Sequence, residues 1–261
     1  PSSEYIVKEE VVADMAASGI TLCQLLWYDV ETNKQALKLL KKYGLRATVF
    51  EKRITEIAEN GHMDAIDEVV KAIIDDYKEF DNIVGWDVWD EPNTENFPML
   101  AKMVEAFRRY APAQETVINL FPNYAPAEAL KDTDYESHLR HFVETVHPDF
   151  ISYDHYPFLG RNLPGALGEI AEIEDEKERL IRIAAKREFN RGEFFSNLKS
   201  VRQIGLKNQI EQMMIAQLTE HGCNRNLTLP EIRWQINMCL AYGFHRVSYF
   251  TYWLPEADMD V

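Results

Sequence analysis

Short runs of β-branched, aromatic and other apolar residues recur along the chain, separated by longer stretches in which apolar residues repeat at helical spacing. An apolar run bounded by turn-forming residues is typical of a buried strand, and a repeat at i, i+3 and i+4 is typical of an amphipathic helix. The pattern predicts seven strands, at residues 20–26, 46–51, 82–91, 115–121, 150–156, 209–217 and 246–253.

Helical periodicity fills the gaps between the early strands. It predicts helices over residues 9–18, 34–43, 63–80 and 97–110, and Gly44 after the second of these is typical of a helix C-cap. Strands that alternate with helices at roughly thirty-residue spacing are typical of a parallel α/β sheet. Because no linker rich in proline, glycine and serine interrupts the alternation, we expect residues 1–261 to form a single domain.

The number of strands predicts the fold. Seven strands are one fewer than the eight of a (β/α)8 TIM barrel, and the chain opens with a helix, so we expect the first barrel strand at or before Pro1. The interval between the fifth and sixth strands is the longest and includes the charged stretch 169–191. We expect a charged helical insertion or loop there, around residues 160–192.

Composition excludes several classes of function. A formal charge of −15 without a basic stripe argues against nucleic acid as a partner. The sequence contains no run of eighteen apolar residues, so no membrane span is expected. The three cysteines form no Cys-x-x-Cys pair and the seven histidines form no His-Glu-x-x-His motif, so neither a metal nor another cofactor is expected. The sequence slightly favours a secreted or periplasmic location.

The segment 83–93 gives the sharpest single signal. An apolar, β-prone run ends in Asp90 and Glu91, and Pro92 follows directly. Parallel α/β barrels present catalytic groups at the carboxyl ends of their strands, so Glu91 is a candidate catalytic acid.

The other predicted strands also end in polar or aromatic residues. Aromatic rings cover the apolar face of a sugar, while carboxylate, amide and imidazole groups bond its hydroxyls, so these strand ends together indicate a carbohydrate substrate. The residues that we expect to bind it are Trp27, Glu51, Arg53, Asp90, Asn93, Asn123, Tyr153, Asp154, His155, Tyr156, Gln217 and Trp253.

Three parts of the chain, residues 85–93, 153–158 and 241–253, resemble the (β/α)8 barrel glycoside hydrolases of the large retaining clan that includes cellulases and β-galactosidases. In that clan the general acid/base is the glutamate of an Asn-Glu-Pro sequence on strand four, and the nucleophile is a glutamate on strand seven. The resemblance implies that Glu91 is the acid/base. Asp90 replaces the asparagine of the clan, and an ionised aspartate can only accept the hydrogen bond that the amide would donate.

The second carboxylate is less well defined. When the missing first strand is counted, the predicted strand 82–91 is strand four of the barrel and 209–217 is strand seven. Strand seven then ends in Gln217 rather than glutamate, so Glu220 is the first candidate for the nucleophile and Asp154 the alternative. Retention of configuration needs the two carboxyl groups about 5–5.5 Å apart, and inversion about 6.5–9.5 Å. Two other classes stay open: a carbohydrate-binding barrel without turnover, and a metal-dependent isomerase or hydrolase on the same fold.

Overall fold

The structure, a computed structural model, describes residues 3–26, 28–59, 63–160, 170, 172–222 and 224–252. The chain forms two compact units. The first consists of Pro1–Asn119 and Leu130–Asp149, and the second of Leu120–Ala129 and Phe150–Val261. Each is described by itself.

The first unit is built on parallel strands in chain order. They are β1 (Leu22–Leu25), β2 (Arg46–Phe50), β3 (Ile83–Asp90) and β4 (Glu115–Leu120). In the register, Leu22 lies opposite Arg46, and Gly85 lies opposite both Thr48 and Glu115. Their carboxyl ends therefore lie on the same edge, where β3 leads into Glu91.

Helices precede, connect and follow these strands along the chain. They are α1 (Ser3–Ile6), α2 (Glu9–Ala17), α3 (Val30–Lys42), α4 (Lys52–Glu59), α5 (Ile66–Tyr77), α6 (Phe97–Tyr110), α7 (Ala127–Leu130) and α8 (Tyr135–Val146), with 3-10 turns at Met63–Ala65 and Thr94–Asn96. Four of them match the predicted helices, and α6 has the predicted bounds. The predicted helix 63–80 is observed over Ile66–Tyr77: the 3-10 turn takes its first three residues, and it ends three residues earlier than expected.

Local capping explains where α3 begins and ends. The Asp29 carboxylate accepts the backbone N–H groups of Glu31 and Thr32, which have no partner inside the helix. After the helix, Gly44 adopts φ +74° and donates its N–H to the carbonyl of Lys41. The predicted glycine C-cap is confirmed.

Close packing between β3 and β4 fixes the strand before Glu91. A Cβ atom on Gly85 would lie 2.8 Å from the carbonyl oxygen of Glu115, so a side chain has no room there. On the next residue, the buried ring of Trp86 stacks on Phe107 at 5.5 Å, and its indole N–H donates to Gln114 over 2.7 Å. The base of the strand is therefore held by its neighbours on two sides.

The second unit also has parallel strands in chain order. They are β5 (Phe150–Asp154), β6 (Glu211–Gln217) and β7 (Arg246–Phe250), with helices α9 (Glu176–Asn208) and α10 (Leu229–Ala241). Tyr153 lies opposite Met214, and Gln217 lies opposite Phe250. The ends of β5, β6 and β7 are thus brought side by side.

Helix α9 contains part of the charged helical insertion or loop expected around residues 160–192, of which residues 161–169 and 171 fall outside the described residues. The part of the charged stretch after Asp175 forms the first half of one 33-residue helix, whose start is capped by the Asp175 carboxylate accepting the N–H of Glu178. The second half buries Phe194 and Leu198 completely, whereas Leu180 in the first half stays exposed. The second half of α9 therefore packs in the core, and the charged first half extends the same helix into solvent.

All seven predicted strands are confirmed, and so is the parallel α/β class. Closure into an eight-stranded barrel, a first strand at or before Pro1 and a single domain remain predictions. Within the part of the chain that the structure describes, no helix combines the length and apolar character needed to cross a bilayer.

Candidate active site

Glu91 stands in an unusual backbone conformation directly after β3. Its φ is +47°, its side chain is exposed, and its N–H donates to the carbonyl of Asn119 over 2.7 Å. A left-handed conformation costs a residue with a side chain roughly 1–2 kcal/mol. Strain of this kind is concentrated at functional positions, where the surrounding structure holds it in place.

Asp90 lies beside Glu91 and is paired with an amide. The Asn119 Nδ2 donates to Asp90 Oδ1 over 3.0 Å, and Asp90 is exposed. Asn119 was missed by the sequence reasoning. The only available signal was its place at the end of the predicted strand 115–121, within a polar and aromatic stretch.

Asp87 is a buried carboxyl group three residues before Asp90, also missed from the sequence. The Gln24 Nε2 donates to it over 3.1 Å. Burial raises the pKa of Asp87 to about 6, the nearby charge of Asp90 acts in the same direction, and the hydrogen bond from Gln24 opposes the shift. A charged residue inside an otherwise apolar run was the signal that could have identified it.

Glu51 and Arg53 form an ion pair at the end of β2. The guanidinium group of Arg53 donates to both oxygens of Glu51, over 2.9 and 3.1 Å, and to Asp76 over 2.8 Å. Glu51 is buried, and these carboxylates raise the pKa of Arg53 above its ordinary value. Both side chains have partners within the protein, and their predicted contact with substrate remains a prediction.

Asn93 caps the 3-10 turn that follows Glu91. Its Oδ1 accepts the N–H of Glu95, and its own N–H donates to Asn96 Oδ1, both over 2.9 Å. One residue later, the hydroxyl of Thr94 lies 3.1 Å from the carbonyl of Leu130. The segment after Glu91 is therefore fixed by side chains as well as by Pro92.

In the second unit, Asn123 and His155 converge on Asn197. Asn197 Oδ1 accepts the N–H of Asn123 and lies 3.0 Å from His155 Nδ1, which must hold the ring proton because a carbonyl oxygen only accepts. Burial lowers the pKa of His155 to about 4, so the ring is neutral at pH 7. Asn123 also donates to Glu193 over 2.7 Å, so the segment around Asn123 is held to α9 within the second unit.

The residues at the end of β5 differ in exposure. Tyr153 is completely buried with its ring against Phe244, and Asp154 is 7% exposed. Tyr156 is half-buried, and its ring meets those of His221 at 4.8 Å and Phe250 at 6.0 Å. Of the predicted residues on this segment, Tyr156 has the side chain best able to reach a ligand.

Gln217 occupies the end of β6, where the resemblance leads one to expect a glutamate. It is fully buried, and its amide is bonded to backbone on both sides. Oε1 accepts the N–H of Phe158 over 3.2 Å, while Nε2 donates to the carbonyls of Phe158 and Arg225 over 3.2 and 2.9 Å. The side chain therefore joins the loops after β5 and β6.

Glu220 follows in the loop after β6 and is half-buried. Asn226 Nδ2 donates to its Oε2 over 2.6 Å. The adjacent His221 bonds the carbonyl of Thr219 through Nδ1, accepts from Asn224 through Nε2, and has its pKa lowered by burial. His221 is a neutral ring that fixes the loop, and Glu220 is the carboxylate that this loop leaves accessible.

The predicted site residues are divided between the two units, and each group is described within its own unit. Asp90 and Glu91 lie together in the first unit, and Tyr156, Gln217 and Glu220 lie at strand ends of the second. Trp27 and Trp253 fall outside the described residues. The substrate contacts and catalytic roles assigned from the sequence remain predictions.

No family model and no curated protein matches the chain, whereas solved structures do. A hyperthermophilic endo-β-1,4-glucanase in complex with substrate has a TM-score of 0.61 at 12% identity, covering 95% of this chain and 82% of that one. A β-galactosidase from Marinomonas ef1 has a TM-score of 0.59 at 11% identity, covering 96% and 52%. A putative α-L-fucosidase from Bacteroides thetaiotaomicron has a TM-score of 0.55 at 9% identity, covering 86% and 65%.

The chain thus spans 65% of the fucosidase and about half of the β-galactosidase. At such low identity the similarity concerns the fold alone. The chain has the TIM-barrel-like fold that these glycoside hydrolases share.

Proposed function

We propose that the protein is a glycoside hydrolase in which Glu91 is the general acid/base. The observation behind this is the exposed carboxylate at the end of β3, held at φ +47° by its hydrogen bond to Asn119. A solvated acidic turn needs no such constraint. The resemblance of residues 85–93 to the clan motif and the fold similarity to glucanases and galactosidases both support this assignment.

The proposed chemistry is a double displacement with retention. Glu91 gives its proton to the glycosidic oxygen as the bond to the anomeric carbon breaks, and Glu220 forms an ester to that carbon. Glu91, now a carboxylate, takes a proton from water as the water attacks the anomeric carbon and the ester breaks. Glu220 is preferred to Asp154 as the nucleophile because it is half-buried whereas Asp154 is buried.

The first experiment measures hydrolysis of a panel of aryl glycosides and oligosaccharides. We expect Glu91→Gln to lower kcat/KM by roughly 10²–10⁴-fold, as is usual when a general acid is removed. Glu95→Gln is the matched control, because it makes the same change on an exposed side chain of the same segment. Equal activity of the wild type and Glu91→Gln would exclude Glu91 as the acid/base.

A second experiment identifies the nucleophile. A 2-deoxy-2-fluoro glycoside with a good leaving group slows breakdown of the ester, so the labelled peptide can be found by mass spectrometry. We expect the label on Glu220, and a label on Asp154 would reverse the preference between them. Release of an inverted product without any label would replace retention by inversion.

Gln217 favours one alternative, a carbohydrate-binding barrel without turnover. Its fully bonded amide holds the end of β6 and offers no carboxylate there. Binding of oligosaccharides without any release that depends on Glu91 would support this alternative over the hydrolase.

A further inference from the structure

We propose that the first half of α9 is a self-association surface, through which two copies of this chain pair as antiparallel helices. The surface is formed by four apolar residues, Leu180, Ile181, Ala184 and Ala185, which together make the α9 patch. This association is separate from the proposed hydrolysis and does not depend on it.

The α9 patch faces solvent. Leu180 is 56% exposed and Ile181 is 59% exposed, and Ala184 and Ala185 are exposed as well. Residues three and four apart share a face of a helix, so Leu180 lies beside Ala184, and Ile181 lies beside both alanines. On another side of the same turn Ile183 is buried. A solvent-facing helix surface normally carries polar residues, so adjacent apolar side chains there favour coverage by another protein surface.

The order of large and small residues in the α9 patch matches a second copy running in the opposite direction. An antiparallel two-fold pairing centred midway along the patch places Leu180 of each copy opposite Ala185 of the other, and Ile181 opposite Ala184. Each large side chain then meets a small one, as interdigitation of two helix faces requires. A parallel pairing in register would instead place Leu180 against Leu180 and Ala184 against Ala184.

The charges at the two ends of the α9 patch are complementary in the same register. Lys177 and Glu188 are both exposed, and the antiparallel pairing places Lys177 of each copy opposite Glu188 of the other. The two-fold axis forms this pair twice. In a parallel pairing, lysine would face lysine and glutamate would face glutamate. The charge pattern therefore favours a second copy as the partner and sets its direction.

The first test measures the oligomeric state of the full chain by sedimentation velocity over a range of protein concentrations. The buffer contains about 150 mM NaCl, so that repulsion between two acidic copies is largely screened. We expect the wild type to dimerise as its concentration rises. Ile181→Asp should weaken dimerisation at least about 100-fold, because the two-fold axis removes two apolar contacts and buries two charges. Leu206→Asp is the matched control, since Leu206 is 61% exposed on the same helix but lies outside the α9 patch.

Charge exchange tests the direction of pairing. Lys177→Glu and Glu188→Lys should each weaken dimerisation about tenfold, because each turns two attractive pairs into repulsive ones. The double variant restores opposite charges across the interface and should dimerise like the wild type. Within one chain the two residues are separated by about 16 Å along α9, at 1.5 Å per residue, so the recovery cannot arise inside a single helix.

Each result supports or overturns the proposal. A wild type that stays monomeric at every concentration overturns it, and so does a dimer that Ile181→Asp leaves intact. A double variant that dimerises no better than the single variants overturns the antiparallel pairing. Because Lys177 and Glu188 are exposed, the charge variants decide the question even where Ile181→Asp disturbs folding.

Discussion

Gln217 provides the sharpest test of the structural interpretation, because the family resemblance and the structure make opposite predictions for Gln217→Glu. The resemblance suggests that a glutamate at the end of β6 restores a nucleophile. The structure places this amide in full burial with both of its ends bonded to backbone. We therefore expect the substitution to destabilise the fold and to add no activity.

The magnitude follows from the contacts. A carboxylate cannot donate to the carbonyls of Phe158 and Arg225, so the new side chain must take up a proton to remain buried. Holding a carboxyl group of ordinary pKa 4.3 protonated at pH 7 costs about 3.7 kcal/mol, at 1.36 kcal/mol per pH unit. The protonated group has one donor where the amide has two, which leaves one carbonyl unpaired at a cost of about 1–3 kcal/mol.

The total is about 5–7 kcal/mol at pH 7. Because the folded-state pKa of the new glutamate is raised above its unfolded value, the destabilisation grows as pH rises above about 4.3. Near pH 4.5 little more than the cost of the unpaired carbonyl, about 1–3 kcal/mol, remains. Urea unfolding followed by tryptophan fluorescence at both pH values measures the difference.

Two controls separate charge from hydrogen bonding. Gln217→Met removes the bonds without adding an ionisable group, so its effect should be the same at both pH values. Gln203→Glu makes the same substitution on an exposed position of α9 and should change stability by less than about 0.5 kcal/mol. Wild-type stability of Gln217→Glu at pH 7, or a gain in hydrolysis, would refute the assignment of Gln217 as a link between loops.

Three further changes follow from other contacts. The free energy of unfolding of Asp87→Asn should rise relative to that of the wild type by about 2–3 kcal/mol between pH 4 and pH 7. The reason is that the pKa of Asp87 is raised to about 6, so its ionisation opposes folding. Urea unfolding at the two pH values measures this change. Thr94→Val removes a hydroxyl that lies within hydrogen-bond distance of both Asp132 Oδ2 and the carbonyl of Leu130, and it should cost about 1–3 kcal/mol in thermal unfolding. Gly85→Ala places a methyl group against the carbonyl of Glu115 and should cost about 1–3 kcal/mol in urea unfolding.

Matched variants identify the cause in each case. Asp75→Asn removes an exposed carboxylate and should not show the gain expected for Asp87→Asn. Thr94→Ser keeps the hydroxyl, so its thermal unfolding should stay near that of the wild type. Gly192→Ala places its methyl group in open space on α9 and should stabilise the protein by about 0.5–1 kcal/mol. If Asp87→Asn and Asp75→Asn respond alike to pH, burial is not the source of the Asp87 shift. If Gly85→Ala is tolerated as well as Gly192→Ala, β3 and β4 are not in close contact at Gly85.

The sequence located the elements of secondary structure because these depend on local periodicity. Seven apolar runs predicted seven strands, and Phe97–Tyr110 was predicted at its observed bounds, with Pro98 in its first turn, a position where proline needs no hydrogen bond. Helix α9 was the exception. Its length depends on a core contact of its second half, around Phe194, which the charge pattern of its first half does not reveal.

Part of the candidate site could also be read from the sequence. The position of Glu91 follows from an apolar run, an acid and a proline in succession, which are all neighbours in the chain. Its φ of +47° does not follow from them, because the carbonyl that accepts its N–H belongs to Asn119 on the next strand. The sequence placed the residue, and pairing between strands determined its conformation.

Only the tertiary structure determined how the polar side chains are used. From the sequence, Gln217 is a candidate ligand-binding amide. In the structure its oxygen and nitrogen form hydrogen bonds with the backbone of Phe158 and Arg225, which are not adjacent to it in the sequence. From the sequence, Arg53 is a candidate substrate-binding cation, and in the structure it donates a hydrogen bond to Asp76. Residue type and spacing show which groups can bond, but the fold selects their partners, because burial makes an unpaired polar group too costly to leave.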